Sequence, residues 1–320
     1  MFGVRIFPHL FYLILLSLNM ECRYAFYTKP FFGDIKRNST HWCDKVVEFY
    51  MIAYSSQKMK SFGLATIMHT DKYGASILEQ MGIEFDRVVV DLDFCEIKPR
   101  WWASGKVHAY TRGVGEFRPF VMCDNDAGFH KRPPQWLLDS RYACQSLHTD
   151  TKTEFERQIY RVVEETPNVF PFDIFHWAVG FADDLKGSNS GLVIMNDKEL
   201  HSEFTRYSWA LFNHEWFDRL LKNSGELNPY KILNKWNVLI EENLLYFLHK
   251  RMYGVNPTTI LDCNGFAIPK GICNPHEYYH IWGSKKNPKI IREYKEMALN
   301  YIAESVSDKI EKFFNGRGNG

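Results

Sequence analysis

No Cys-x-x-Cys pair and no zinc-like spacing occurs among the cysteines at positions 22, 43, 95, 123, 144, 263 and 273. That excludes a zinc ribbon or finger, and an odd set of seven in 320 residues argues against a disulfide scaffold. The plain reading is mostly buried free thiols, although Cys263 and Cys273 flank a short Gly/Pro segment and could pair in an oxidising compartment. Charge of one sign is lacking too. With 39 Lys+Arg against 38 Asp+Glu, no broad basic field exists for nucleic acid, so any anionic ligand must be held by a local device. Internal repeats and low-complexity blocks are absent. The longest apolar run, residues 6–18 after Arg5, looks like a signal-peptide core or short anchor. It is shorter than the roughly 20 residues that span a bilayer comfortably. No small-x-small cleavage site follows it cleanly, no stem separates it from the first strand, and Met20 offers an alternative start. The expectation is a cytoplasmic protein in which residues 1–22 are an apolar extension, with membrane association through residues 6–18 as the alternative.

Aromatic residues, by contrast, are plentiful at 16%, and apolar residues reach 45%, which points to a large core. Trp136, Trp177, Trp209 and Trp216 are assigned to that core rather than to stacking on a sugar. From residue 23 to residue 123 strand-like and helix-like segments alternate. Strands are expected at 23–28, 63–68, 87–90 and 119–123, and helices at 42–59, 71–81 and 101–110. Asp71 suits a helix N-cap, and Gly82 suits the stop. This rhythm implies βαβ crossovers and a mainly parallel sheet, hence an α/β protein. Residues 131–186 lose the rhythm. A further strand is expected at 190–195, helical stretches at 204–221 and 236–249, one amphipathic C-terminal helix at 287–315, and a disordered tail at 316–320.

Ligands of open α/β sheets bind beyond the carboxyl ends of the strands. Two acidic triplets stand there: Asp91-Leu92-Asp93, and Asp124-Asn125-Asp126 with the small Ala127 and Gly128 after it. Two carboxylates one residue apart on a turn can share one hard cation, but such triplets are commonly solvated loops, and physics alone does not separate the two. Farther along stands His280-Ile281-Trp282-Gly283-Ser284-Lys285-Lys286. An imidazole can complete a Mn²⁺-like coordination sphere, Gly283 allows close backbone approach, and the lysines can neutralise phosphate. A surface loop with a basic pair is the plain alternative.

Taken together, Asp124-Asn125-Asp126 after an apolar strand and His280-x-x-Gly283-x-x-Lys286 resemble the paired signature of glycosyltransferase family 8 and its GT-A relatives. Asn189-Ser190-Gly191 looks like the family's Asn-Ala/Ser-Gly strand. Glu241-Glu242-Asn243-Leu244-Leu245 looks like its Asp-Gln-Asp-x-Leu element, with Glu241 and Glu242 in place of Asp and Gln. Lys106 stands where the family has a basic residue that touches the nucleotide, and Asn287-Pro288 departs from the usual Pro-Trp. The segments Phe26-Tyr-Thr-Lys-Pro30 and Trp101-Trp-Ala-Ser-Gly-Lys106 also look like less characterised GT-A-like proteins.

The resemblance covers about residues 23–286. It implies a GT-A domain with a Rossmann-like nucleotide-sugar half at 23–130 and an acceptor half at 131–286. It further implies Mn²⁺ or Mg²⁺ on Asp124, Asp126 and His280; a nucleotide-sugar donor, UDP-linked by preference, held with help from Lys106, Asn125, Gly283 and Lys286; and retention of anomeric configuration. Asn189 would orient sugar hydroxyls, and Glu241 or Glu242 would steady the oxocarbenium-like centre or the acceptor, a carbohydrate or glycoconjugate. Asp91 and Asp93 are left as a structural turn. The alternatives are a sugar nucleotidyltransferase, for which the first strand lacks the usual Gly-rich phosphate loop, and a catalytically silent nucleotide- or carbohydrate-binding module.

Overall fold

Two aspartates set the first two helices of the computed structural model, which describes residues 24–29, 31, 42–96, 103–112, 118–148, 155–181, 185–222, 236–261, 272–273, 278–281 and 285–316. At the head of α1 (Lys45–Ser61) the Asp44 side chain accepts from the Val46 N–H at 3.0 Å. At the head of α2 (Lys72–Met81) Asp71 accepts from the Gly74 N–H at 2.6 Å, and its other oxygen accepts from the Phe31 N–H at 2.7 Å. Side-chain acceptors satisfy amides that the first helical turn leaves free. Gly82 ends α2 at φ 65°, a left-handed conformation that costs glycine nothing. Cap and stop both fall where the sequence puts them.

Strand β1 (Tyr24–Lys29) precedes α1, β2 (Ala65–Thr70) lies between the two helices, and β3 (Arg87–Val90) follows α2. Helix α3 (Ala103–Arg112) then leads to β4 (Phe120–Cys123). After β5 (Ala127–Phe129) and a short helix α4 (Gln135–Leu138) come β6 (Tyr142–Cys144) and β7 (Leu147–His148). Next follow α5 (Phe155–Glu165), α6 (Asp173–Phe181), β8 (Gly187–Ser188), β9 (Leu192–Met195), α7 (Lys198–Asn213) and α8 (Glu215–Lys222). A π-helical turn at Leu239–Asn243 runs into α9 (Leu244–Tyr253), and β10 (Thr258–Thr259), β11 (Ile272–Cys273) and β12 (Tyr278–His280) come after it. The described chain closes with α10 (Pro288–Leu299) and α11 (Glu304–Asn315).

The seven-stranded sheet has the order β10-β6-β9-β4-β1-β2-β3. Its pairings are parallel except where β9 runs antiparallel to both β4 and β6. The mainly parallel α/β sheet expected from the sequence is therefore present. Period-2 alternation splits its side chains between two cores. Ala25, Tyr27, Met68, Val121 and Ile194 face α1, α2, α10 and α11, whereas Phe26, Ile67, Phe120, Met122, Val193 and Met195 face α3 and α5 to α9. Each fully buried large apolar side chain contributes roughly 1.5–3 kcal/mol of transfer free energy.

Several helices differ from the expectation. The C-terminal segment is not one helix but two, broken at residues 300–303, where Ala303 is extended (φ −64°, ψ 141°). Packing makes the break: Tyr301 meets the Tyr54 ring edge-on at 5.3 Å beneath Lys58, and Ile302 is buried. The expected helix at 204–221 is likewise two, parted at His214, whose Nδ1 accepts from the Trp216 N–H at 3.1 Å. Trp136 does not join the core, since 54% of its surface is exposed. Cys123 and Cys144 are buried and Cys43 is exposed, none of the three in a disulfide, while Cys263, residues 1–22 and the 316–320 tail beyond Gly316 lie outside the described residues. No helix among the described residues is long and apolar enough to cross a membrane.

Candidate metal centre

The geometry begins with the antiparallel strand. Because β9 runs against β4 and β6, it starts where they end: Leu192 pairs with Cys123, and Val193 with Cys144. That register puts Ser190 and Gly191 beside Asp124 on one side and Gln145 on the other. The Asp124 N–H donates to the Gly191 carbonyl at 2.9 Å, and the Ala127 N–H closes the acidic turn onto the Asp124 carbonyl at 3.1 Å. Leaving the turn, the chain enters β5, the edge of a second, three-stranded antiparallel sheet in the order β11-β12-β5. There His280 pairs with Ala127, and the Ile281 N–H donates to the Asp126 carbonyl at 3.0 Å. A two-strand ladder thus carries an imidazole from near the end of the chain to the acidic turn.

Asp124, Asp126 and His280 each offer a ligand atom, and these atoms lie within 4.8 Å of one another, a group that could hold a metal ion. His280 Nε2 is 3.7 Å from Asp126 Oδ2. On the far side of the ring, Gln145 Oε1 accepts from the Tyr278 hydroxyl at 2.7 Å and lies 2.6 Å from His280 Nδ1. An oxygen that already accepts a phenol proton must accept the imidazole proton as well, so Nδ1 carries the hydrogen and Nε2 keeps a lone pair toward Asp126. Burial pushes the imidazole pKa down against the pull of Asp126 and Asp124, which keeps the ring in its neutral, ligating form.

Two lysines complete the centre. Lys285 Nζ lies 2.7 Å from Asp126 Oδ2, yet no donor is aligned with that buried oxygen. Burial raises the Asp126 carboxyl, but Lys285 and His280 outweigh it and hold the carboxyl down at about 2. Lys106 Nζ lies 2.7 Å from Asp124 Oδ1, donates to the Ser190 carbonyl at 3.0 Å, and forms an ion pair with Glu241, which accepts from Ser190 Oγ at 2.8 Å. Burial, with Asp124 and Glu242 adding to it, pushes the Glu241 carboxyl up to about 7 despite Lys106. The π turn at residues 239–243 carries Glu241; such turns recur at functional sites because they re-aim one side chain within a helix.

Of the residues singled out in the sequence, Asp124, Asp126, His280, Lys106 and Glu241 meet here. Asn125 anchors the turn, its Nδ2 donating to the Thr28 carbonyl at 3.0 Å. Others fall elsewhere. Lys286 is exposed, whereas its neighbour Lys285, not singled out for the site in the sequence, lies against Asp126. Asn189 uses Oδ1 to accept from the Gly191 N–H at 2.9 Å, shaping its own turn. Glu242 is half-buried, and its carbonyl accepts from Ser188 Oγ at 2.8 Å. Gly283 lies outside the described residues. Asp91 binds His69 (3.1 Å) and His108 (2.9 Å), and Asp93 accepts from the Lys72 N–H at 3.1 Å, so both brace the turns around β3. Gln145 escaped the sequence reading altogether: a glutamine after a three-residue strand carries no pattern of its own.

Fold and site together define an α/β protein with a candidate metal centre at the carboxyl edge of its sheet. More particularly, the chain belongs to a family of unknown function (DUF6734), whose model matches residues 26–312. No curated protein matches it.

Proposed function

We propose that the chain is a metal-dependent glycosyltransferase of the GT-A type, moving a sugar from a nucleotide-sugar donor, UDP-linked by preference, to a carbohydrate or glycoconjugate acceptor. One observation carries the reading. Two carboxylates from the turn after β4 and an imidazole from β12 converge within 4.8 Å, at the sheet edge where α/β proteins bind nucleotides. The donor set fits a Mn²⁺- or Mg²⁺-like ion: two carboxylate oxygens, one of them without an aligned hydrogen bond, and a neutral imidazole nitrogen fixed by Gln145.

Asp124, Asp126 and His280 would hold that ion. When bound, it supplies Lewis-acid stabilisation of the charge that grows on the departing diphosphate. Lys285 and Lys106 add fixed positive charge for the same phosphate oxygens from within a largely buried site, where a charge acts more strongly than in water. Glu241, buried 3% exposed beside Lys106, keeps that ammonium aimed at Asp124 and offers a carboxylate to the sugar's developing positive charge. Retention of configuration is part of the proposal.

The test is a panel of nucleotide sugars with Mn²⁺, read by release of free nucleotide and by thermal shift. One donor should both stabilise the protein and turn over, chelation should abolish both effects, and Asp126→Ala should lose turnover while keeping its circular dichroism. Near wild-type turnover by Asp126→Ala would overturn the metal assignment. Pyrophosphate release from a nucleoside triphosphate and a sugar phosphate would replace the reading with nucleotidyl transfer.

A further inference from the structure

The two metal-ligating carboxylates each carry an ammonium group at 2.7 Å: Lys106 on Asp124 and Lys285 on Asp126. The two pairs are neutral as they stand. Even with the Glu241 carboxylate counted against Lys106, a divalent cation added alone would leave an uncompensated positive charge in a mostly buried space, a costly state that a diphosphate relieves. The lysines are not equivalent. Lys106 is 7% exposed and held at once by Glu241 and the Ser190 carbonyl, so it stays. The Lys285 side chain is 24% exposed, whereas its backbone is pinned, its carbonyl accepting from the Cys43 N–H at 2.9 Å. Its ammonium group rests 5.4 Å from the Trp42 ring centre and feels the charge of buried Glu48, which is paired with Lys29 through Oε1 but whose Oε2 has no hydrogen-bond partner. A pinned backbone, a partly exposed side chain and a second carboxylate nearby let this side chain leave Asp126 while its carbonyl stays on Cys43.

We propose that Lys285 competes with a divalent cation for Asp126 and is drawn off by a diphosphate, so that cation and diphosphate bind as a unit. The proposal rests on the metal-centre reading above and adds the order in which the centre fills.

The experiment measures Mn²⁺ affinity at fixed free ion, alone and with inorganic pyrophosphate, for the full chain, Lys285→Met and the exposed-lysine control Lys289→Met. In the wild type and Lys289→Met, pyrophosphate should tighten Mn²⁺ about tenfold or more, the size of an ordinary binding coupling. Lys285→Met should bind Mn²⁺ alone about tenfold more tightly than wild type and lose most of that coupling. Unchanged Mn²⁺ affinity or undiminished coupling in Lys285→Met overturns the proposal, even if Asp126→Ala still abolishes binding and so leaves the metal centre standing. If Mn²⁺ binds no variant under either condition, the proposal and the glycosyltransferase reading fall together.

Discussion

Gly191 and His280 are packed so closely that a methyl group on the glycine Cα would stand 2.5 Å from His280 Cε1 and 2.6 Å from Nδ1. The same methyl would stand 2.8 Å from Gln145 Oε1, so glycine here preserves both the imidazole's position and the hydrogen bond that sets its tautomer. Neither neighbour is a loose chain end that could swing aside. Gly191→Ala should therefore shift the His280 ring and weaken Mn²⁺ binding roughly 10–100-fold, the usual penalty for disturbing the support of a metal ligand. Overpacking should cost about 1–3 kcal/mol of stability at the same time. Mn²⁺ titration and urea unfolding of this variant give both quantities; wild-type metal affinity would show that the ring does not depend on the glycine.

Much of the architecture is readable from the chain because local rules agree with the global fold. Asp71 and Gly82 bound their helix by capping chemistry, and the apolar residues of β1, β2 and β4 alternate because both sheet faces are covered. What stays hidden depends on contacts distant in sequence. β12 is three residues long and takes its meaning from pairing with β5 some 150 positions earlier, so nothing in Tyr278–His280 announces a strand. Lys285 and Lys286 are indistinguishable as residue types, and only the three-dimensional structure shows that Lys285 lies against Asp126 while Lys286 is exposed. The π turn at Glu241 and the break at residues 300–303 likewise follow from packing, not from proline or glycine.

Lys106 makes a thermodynamic prediction that does not depend on catalysis. Its ammonium group is the cation between Glu241, 3% exposed, and Asp124. Replacing it with methionine leaves the buried Glu241 carboxyl, already raised to about 7, without a counter-charge, so that it must take up a proton or stay unpaired; breaking a buried pair from one side costs up to about 3–5 kcal/mol. Adding Glu241→Gln removes the stranded charge while keeping an oxygen for the Ser190 hydroxyl. The double variant should therefore be more stable than Lys106→Met alone, with a coupling of roughly 1–3 kcal/mol. Urea midpoints for the cycle decide the matter: strictly additive losses would mean that the two residues act independently.

His249 gives the protein a predictable weakness toward mild acid. It lies in α9 with 4% of its surface exposed, its ring against Tyr142 at 5.3 Å and Tyr253 at 5.2 Å, and its Nδ1 without a hydrogen-bond partner. Burial, with Arg141 nearby, lowers its pKa from 6.5 to about 4 despite the opposing pull of the Val255 backbone and Asp197. The unfolded chain therefore binds this proton first. Stability is complete above pH 6.5, falls as the pH drops toward about 4, and is flat with respect to this group below that. The full loss is at most roughly 3.5 kcal/mol, from about 1.4 kcal/mol per pKa unit. His201 and His280 are shifted down as well and steepen the same slope, so the wild-type curve alone does not isolate one residue. The difference between wild type and His249→Phe does. The difference between the two unfolding free energies should be constant above pH 7 and shift against the wild type as the pH falls from 6.5 to 4, because phenylalanine fills the aromatic pocket without taking up a proton. Curves that stay parallel throughout would show that the imidazole finds a way to charge without leaving its site.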